Sequence, residues 1–384
     1  MPAPLPSASL AAGVKARFVE GVNGIDMHIL EAGTPGRNRS TILLLHGFPE
    51  IAYSWRKVMP VLAEAGYHVV APDQRGYGRT AKKPIPFEDD LSPFRILNLV
   101  RDAVALLSLL GITSVAAVVG HDFGASIAAA CALVRPDLFR SLVIMSAPFP
   151  GPPAWPLPRP PENDPIHAAL AALKPPRKHY HAYFATREAN TDMWHCKQGV
   201  HDFLRAYFHF KSGDWPGNNP SELSAWTAEQ LARMPHYYIM PLALGMAETV
   251  APEAPSPEII TSSHWLTEAE LRIYSEDYQR IGFQGGLQWY RGRMNGNLAK
   301  DLSLFSGRTI NCPALFIAGE RDWGAYQIVG GLQRMRDTVF TQMAPPCFVE
   351  GAGHWVQQER ADIICARLLD FFKAAETPSR RGSQ

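Results

Sequence analysis

The sequence predicts an α/β fold: a mostly parallel central sheet with helices on both faces, interrupted by an inserted helical segment. Two observations carry this. Short, continuously apolar runs alternate with helical stretches in the first 150 residues and again near the end, the pattern of strands buried on both faces. Between them, a proline-crowded stretch starting at Pro148 leads into a long segment of helical periodicity without any apolar strand run. The expected divisions are 1–148 and 303–376 for the two parts of the sheet domain, 149–302 for a helical lid, and 377–384 for a disordered tail.

Taken in order, ARFVEGV and DMHILEAG flank Asn23-Gly24, a dipeptide that favours the positive φ angles of a two-residue hairpin turn. TILLLHG (41–47) then reads as a buried strand, with a helix expected over Tyr53 to Ala65. HVVAPD (68–73) repeats the unit, and SVAAVVG (114–120) does so after a helical stretch from Ile96 to Leu110. That third strand runs into a helix expected over Ala125 to Val134, and SLVIMSA (141–147) closes the series. The segment PFPGPPAWPLPRPPENDP holds too many prolines for helix or inner strand and reads as an extended linker. From about Ile166 to Leu302 aromatic residues and histidines are dense, and Trp155, Trp194, Trp215 and Trp226 suit an apolar enclosure, a core or an interface. ALFIAGERD (314–322) and CFVEGAGH (347–354) restore the strand signal before a helix over Ile363 to Ala374.

Composition narrows the class of function. The 37 basic and 36 acidic residues leave almost no net charge, so neither nucleic acid nor an acidic membrane surface is an expected partner. Cys131, Cys196, Cys312, Cys347 and Cys365 are widely spaced and contain no C-x-x-C pair, which suits reduced thiols rather than disulfides or a zinc site. The first residues hold no basic stretch before an apolar run, unlike a signal peptide. No stretch reaches the roughly 18 apolar residues of a membrane span. A cytoplasmic location is therefore expected, and the composition leaves the oligomeric state open.

The chemistry centres on Gly120-His121-Asp122-Phe123-Gly124. Where an apolar strand turns sharply into a helix, flanking glycines permit the strained geometry of a nucleophile elbow, G-x-S-x-G in form, with Asp122 in the place of the serine. The plainer reading is that Asp122 only caps the helix. Asp322 after one strand and His354 after another argue against it, because nucleophile, acid and histidine then follow in the chain order of α/β-hydrolases. After the strand 41–47, the backbone amide of Phe48 is placed to form an oxyanion hole with that of Phe123. His46 is expected to be structural, and Asp73 to Gly78 to form a tight, ion-paired turn without chemistry of its own.

These stretches together, LLLHGFPE (43–50), APDQRGYG (71–78), GHDFGA (120–125), IAGERD (317–322) and GAGHWVQQE (351–359), resemble the soluble epoxide hydrolases of the α/β-hydrolase fold. The resemblance implies a cofactor-independent hydrolase acting on a small-molecule epoxide and water. It also implies two lid tyrosines that hydrogen-bond the epoxide oxygen. Tyr290 in LQWYRGRM matches the second, and Tyr180 in HYHAYF the first, with Tyr183 three residues on as the rival. Pro49, Tyr183, Trp289 and Trp355 are the further residues expected to contact substrate. The chain departs from the family pattern at Phe123, commonly tryptophan, at Ala125, commonly glycine, at Arg360, commonly proline, and in a lid longer than usual.

A carboxylate nucleophile is already charged at neutral pH and displaces at saturated carbon, so haloalkane or haloacid dehalogenation is the alternative. That reaction needs donors for a departing halide, and Phe48 and Phe123 have no polar side-chain hydrogen to offer. A ligand-binding sensor on the same scaffold is a further alternative, and it would be marked by a damaged triad, which this sequence does not show. His179 with His181, or His195, Cys196 and His201, match no recognised metal spacing, and no metal is expected.

Overall fold

The computed structural model describes residues 2–36, 40–157, 165–295 and 298–376; the expected tail at 377–384 and part of the proline-rich linker lie outside them. Eight strands form one sheet: β1 (Val14–Val22), β2 (Ile25–Ala32), β3 (Thr41–Leu45), β4 (His68–Pro72), β5 (Ala117–His121), β6 (Leu142–Met145), β9 (Ala314–Gly319) and β10 (Cys347–Val349). Their order is β1-β2-β4-β3-β5-β6-β9-β10. β1 and β2 pair antiparallel through the predicted turn, where Asn23 and Gly24 both have positive φ. β2 meets β4 antiparallel, and all later pairings are parallel. β3 to β6 and β9 are buried at every position. Alternate side chains feed different cores: Leu43 and Leu45 join one apolar cluster, Ile42 and Leu44 the other. Helices therefore cover both faces, as the unbroken apolar runs imply.

Several boundaries differ from expectation. The helix expected over 53–65 is split into a 3-10 turn, Ala52–Trp55, and a short helix α1 (Met59–Glu64), because Pro60 lacks an amide proton and is tolerated only in a first turn. Beyond α2 (Ile96–Leu109), helix α3 (Phe123–Val134) begins two residues early, directly after Asp122. The inserted segment also holds two short strands that the helical reading missed, β7 (Arg177–His179) and β8 (Ile239–Pro241), paired antiparallel. Three residues are too few for an alternating pattern to show. Between β6 and β9 the chain otherwise forms helices, among them Tyr180–Phe184, Gly199–Lys211, Glu268–Ile281 and Gln284–Met294. Their apolar side chains join the same cluster as Leu43, Val118 and Ile144, so the insertion shares a continuous core with the sheet domain. A closing helix, Ala361–Glu376, packs on the opposite sheet face, that of Ile42 and Leu44.

Candidate active site

Parallel strands deliver their carboxyl ends to one edge of the sheet, and the loops after β3, β5, β6, β9 and β10 converge there. Asp122 stands between β5 and α3 at φ 54° and ψ −118°, a conformation L-residues rarely adopt. Its neighbours have to be glycine. A Cβ on Gly120 would lie 2.1 Å from the Gly124 carbonyl oxygen, and one on Gly124 2.3 Å from the Leu45 carbonyl oxygen. The elbow is thus a steric necessity: α3 can start against β3 only if neither position carries a side chain.

The carboxylate is held from two sides. Phe48 N–H donates to Asp122 Oδ1 at 3.0 Å, and His354 Nε2 lies 3.5 Å from Oδ2. Phe123 is the first residue of α3, so its amide has no acceptor within the helix. Burial works to raise the Asp122 pKa, but nearby His354, with Lys211 and His121, outweighs it and holds the carboxyl well below the usual range. Gly47 faces this group so closely that a Cβ would lie 2.4 Å from Asp122 Cβ and 2.6 Å from Oδ1. Gly47→Ala is accordingly expected to displace the carboxylate and lower kcat/KM on the order of 10²-fold, the usual cost of moving a reacting group by about 1 Å. Steady-state kinetics beside a melting curve would check it; full activity in a folded variant would contradict the packing.

On its other side, His354 Nδ1 is 3.1 Å from Asp322 Oδ1 and 2.9 Å from Ser146 Oγ. Asp322 Oδ1 also accepts from the Gly324 amide at 2.7 Å. Burial opposes ionisation of Asp322, while His354, Ser146 and the Gly324 amide favour it, and its pKa is lowered. Asp122, His354 and Asp322 thus form one buried chain of contacts, with His354 Nε2 lacking a hydrogen-bond partner among the described residues. Ser146, at φ 73° just after β6, is a member that sequence reasoning missed. A serine at a strand end is too ordinary a residue to single out.

A second charged pair lies beneath. His121 Nδ1 is 2.6 Å from Glu50 Oε2, and His121 Nε2 is 2.7 Å from the His354 carbonyl oxygen, with His121 and Glu50 both wholly buried. Burial favours neutral His121, but Glu50 overrides it and raises the pKa; Glu50's own is lowered against its burial, chiefly by His121. An ionised carboxylate and a carbonyl can only accept, so both ring nitrogens donate and His121 is an imidazolium. Glu50 Oε1 accepts from Gln357 and Gln358 at 2.8 and 2.9 Å. Buried Lys211 adds a further positive charge, its Nζ 4.9–5.7 Å from the ring centres of Tyr207, Tyr237, Tyr238 and Trp355. The Lys211 carbonyl accepts the His354 amide at 2.9 Å and so ties the histidine loop to the helix Gly199–Lys211.

Above Asp122 is a cavity of about 30 Å³ lined by Tyr180, His181, Tyr290, Phe123 and Gln327 among others. The Tyr180 and Tyr290 ring centres are 6.0 Å apart, edge to face. Burial, reinforced by the Asp122 charge, pushes both phenol pKa values well above their usual value, so both hydroxyls stay protonated donors. Tyr180 OH donates to Gln327 Oε1 at 3.0 Å, a partner the sequence did not reveal.

Three residues expected at the substrate, Tyr183, Trp355 and Pro49, do not line this cavity. Tyr183 donates to Asp192 Oδ2 at 2.9 Å and accepts from the Met246 amide at 3.1 Å, so it belongs to the packing of the insertion and Tyr180 is the tyrosine facing Asp122. Trp355 is buried, donates to the Phe208 carbonyl at 2.8 Å and meets the His354 ring edge-on at 4.5 Å, a wall for the histidine rather than for a ligand. Pro49, joined to Phe48 by a cis peptide, is buried and does not line the cavity. Trp289 donates to the Arg75 carbonyl at 3.0 Å and lines an adjoining chamber. His46 accepts from the Gln74 amide at 3.0 Å, as a structural residue would. The turn after β4 is ion-paired as expected, Arg75 to Asp102, and Asp73 Oδ2 accepts from His28 Nδ1 at 2.8 Å.

A sheet of this order with an acidic elbow, a histidine and a second carboxylate at its carboxyl edge defines an α/β-hydrolase, and the profile of the alpha/beta hydrolase fold matches residues 40–165. The chain is 32% identical over 369 residues to Epoxide hydrolase A of Mycobacterium tuberculosis, spanning 92% of this chain and 96% of that protein. It is 34% identical over 358 residues to Epoxide hydrolase B of the same organism, spanning 91% and 95%. Among solved structures, an epoxide hydrolase from an endophytic Streptomyces superposes with a TM-score of 0.73 at 30% identity, over 95% of this chain and 96% of that one. Potato (Solanum tuberosum) epoxide hydrolase I gives 0.70 at 31% identity, over 94% and 99%. The chain belongs to the epoxide hydrolase family of the α/β-hydrolase fold.

Proposed function

We propose that this enzyme converts epoxides to vicinal diols through an ester on Asp122, with residues 149–302 serving as the lid of the site. The observation that carries the reading is two protonated phenols, Tyr180 and Tyr290, lining one cavity with an ionised carboxylate at an elbow. In the first step an Asp122 oxygen attacks one ring carbon. The carbon–oxygen bond breaks, and the alkoxide takes a proton from one tyrosine while hydrogen-bonded by the other. Tyr180 gives up Gln327 for the substrate in doing so. In the second step His354, oriented by Asp322 and Ser146, removes a proton from water that attacks the Asp122 carbonyl carbon. The Phe48 and Phe123 amides hold the resulting oxyanion; its collapse expels the ester oxygen, which takes the proton from His354 and leaves as the diol, and the proton left on the Asp122 carboxyl returns to the tyrosinate. Neither metal nor organic cofactor takes part in these steps.

Among the described residues no helix is long and apolar enough to cross a membrane. The five cysteines form no disulfide, which supports a reducing, cytoplasmic setting.

Isotope tracing tests the chemistry. With enzyme in excess over styrene oxide in H2 18O, the first-turnover diol should carry no label, because its new oxygen comes from Asp122, and the enzyme should gain 18O. Label in the first diol would replace the ester with direct attack by water. Halide release from bromoalkanes with epoxides untouched would move the enzyme to the dehalogenases.

A further inference from the structure

Beside the small cavity over Asp122 lies a second chamber of about 340 Å³, walled by Phe94, Ile96, Leu99, Phe149, Trp289 and Leu302. Phe123, Ser126, Pro150 and Arg293 line both spaces, so the two adjoin along the first turn of α3. A chamber this apolar suits a hydrocarbon arm. Arg95 and Arg293 are the charged exceptions to its character.

Arg293 is exposed, and its guanidinium carbon lies 6.0 Å from the centre of the Phe123 ring. Other arginines nearby are engaged: Arg95 with Asp301, and Arg291 with the Phe87 carbonyl and Gln288. Arg293 makes no ion pair and no hydrogen bond with any described residue. It also follows Tyr290 by three positions on the helix Gln284–Met294, which puts both side chains on one face, with their backbones about 4.5 Å apart along the axis. Its charge reaches the Tyr180 hydroxyl, where burial and Asp122 raise the pKa and Arg293 works against them. A permanent cation with a planar fork of donors and, among the described residues, no acid paired with it is half of a carboxylate site.

Resting on the epoxide reading above, we propose that the site selects epoxides bearing a carboxylate on a short apolar arm, the arm in the chamber and the carboxylate on Arg293. The helical spacing sets the scale: the anion stands about one helical turn from the epoxide oxygen, the span of a single aromatic ring.

The matched probes are 4-(oxiran-2-yl)benzoate and 4-(oxiran-2-yl)benzamide, alike in shape and different in charge. The quantity read is the ratio of their kcat/KM values, compared between the parent enzyme, Arg293→Gln and Arg293→Lys, so that intrinsic reactivity and any partial misfolding cancel. The ratio should fall about tenfold in Arg293→Gln, the effect of one charge-assisted bond at a partly exposed position. The loss should sit in KM for the benzoate, and Arg293→Lys should recover part of it. An unchanged ratio overturns the proposal, including the case where both substrates slow together, which would make Arg293 a stabiliser of the alkoxide or of the fold. Hydrolysis of styrene oxide but of neither probe overturns it as well. If the parent enzyme hydrolyses no epoxide at all, the underlying functional reading fails and the proposal falls with it.

Discussion

His354→Gln is expected to stop the enzyme halfway, with the Asp122 ester formed and its hydrolysis slowed about 10³-fold, within the range general bases contribute. The two half-reactions make different demands. Alkylation needs an ionised Asp122, and Phe48, Lys211 and His121 still favour that state when the imidazole is gone. Hydrolysis needs a neutral base at Nε2. Intact-protein and peptide mass spectrometry after a pulse of styrene oxide should find the adduct on Asp122; rapid turnover without an adduct would remove His354 from the mechanism. Because the Asp122 pKa is held low, the carboxylate should stay charged and alkylation proceed as pH falls through the usual carboxylate range.

Glu50→Gln is expected to have the largest effect on stability. Removing one member of a buried pair costs about 3–5 kcal/mol. The low end applies here, since a neutral His121 could accept a hydrogen bond from the new amide. A fall in melting temperature on the order of 5–10 °C should follow. The pH dependence has a definite sign. His121's pKa is raised above 6.5, so its contribution is full below that value and fades as pH climbs through the folded pKa. Glu50's pKa is lowered below 4.5, so its contribution is full above that value and fades as pH falls through the folded pKa. The native enzyme's advantage should be greatest between about 4.5 and 6.5 and shrink on both sides. Urea melts of both proteins from well below pH 4.5 to well above pH 6.5 would measure it; a difference constant over that whole span would mean that the pair is not ionised.

The parts of the site legible in the sequence are those that geometry forces on particular residue types. The elbow shows because only glycine fits at 120 and 124. Asp322 and His354 show because loops after parallel strands have one edge to occupy. Tyr180 could not be separated from Tyr183 because a five-residue helix gives no periodicity, and the choice is made by Asp192 and the Met246 amide, far from it in sequence or unremarkable in type. Ser146, Gln327 and Lys211 are common residues that matter only through where the fold carries them. Glu50 stood in a conspicuous stretch, yet its meaning depends on His121, 71 residues away. Of the fold, the hydrophobic runs marked every strand of the main sheet, whereas β7 and β8 were hidden by their length.

The void of about 30 Å³ over Asp122 has room for a water molecule or two and little else. An entering epoxide must evict them, so the water nearest the nucleophile leaves before the ring is attacked. The co-reactant of the second step then has to come back in, beside His354, after the first bond has formed. Order of events is thus favoured by crowding directly over Asp122, while the room for solvent lies next door, in the adjoining chamber.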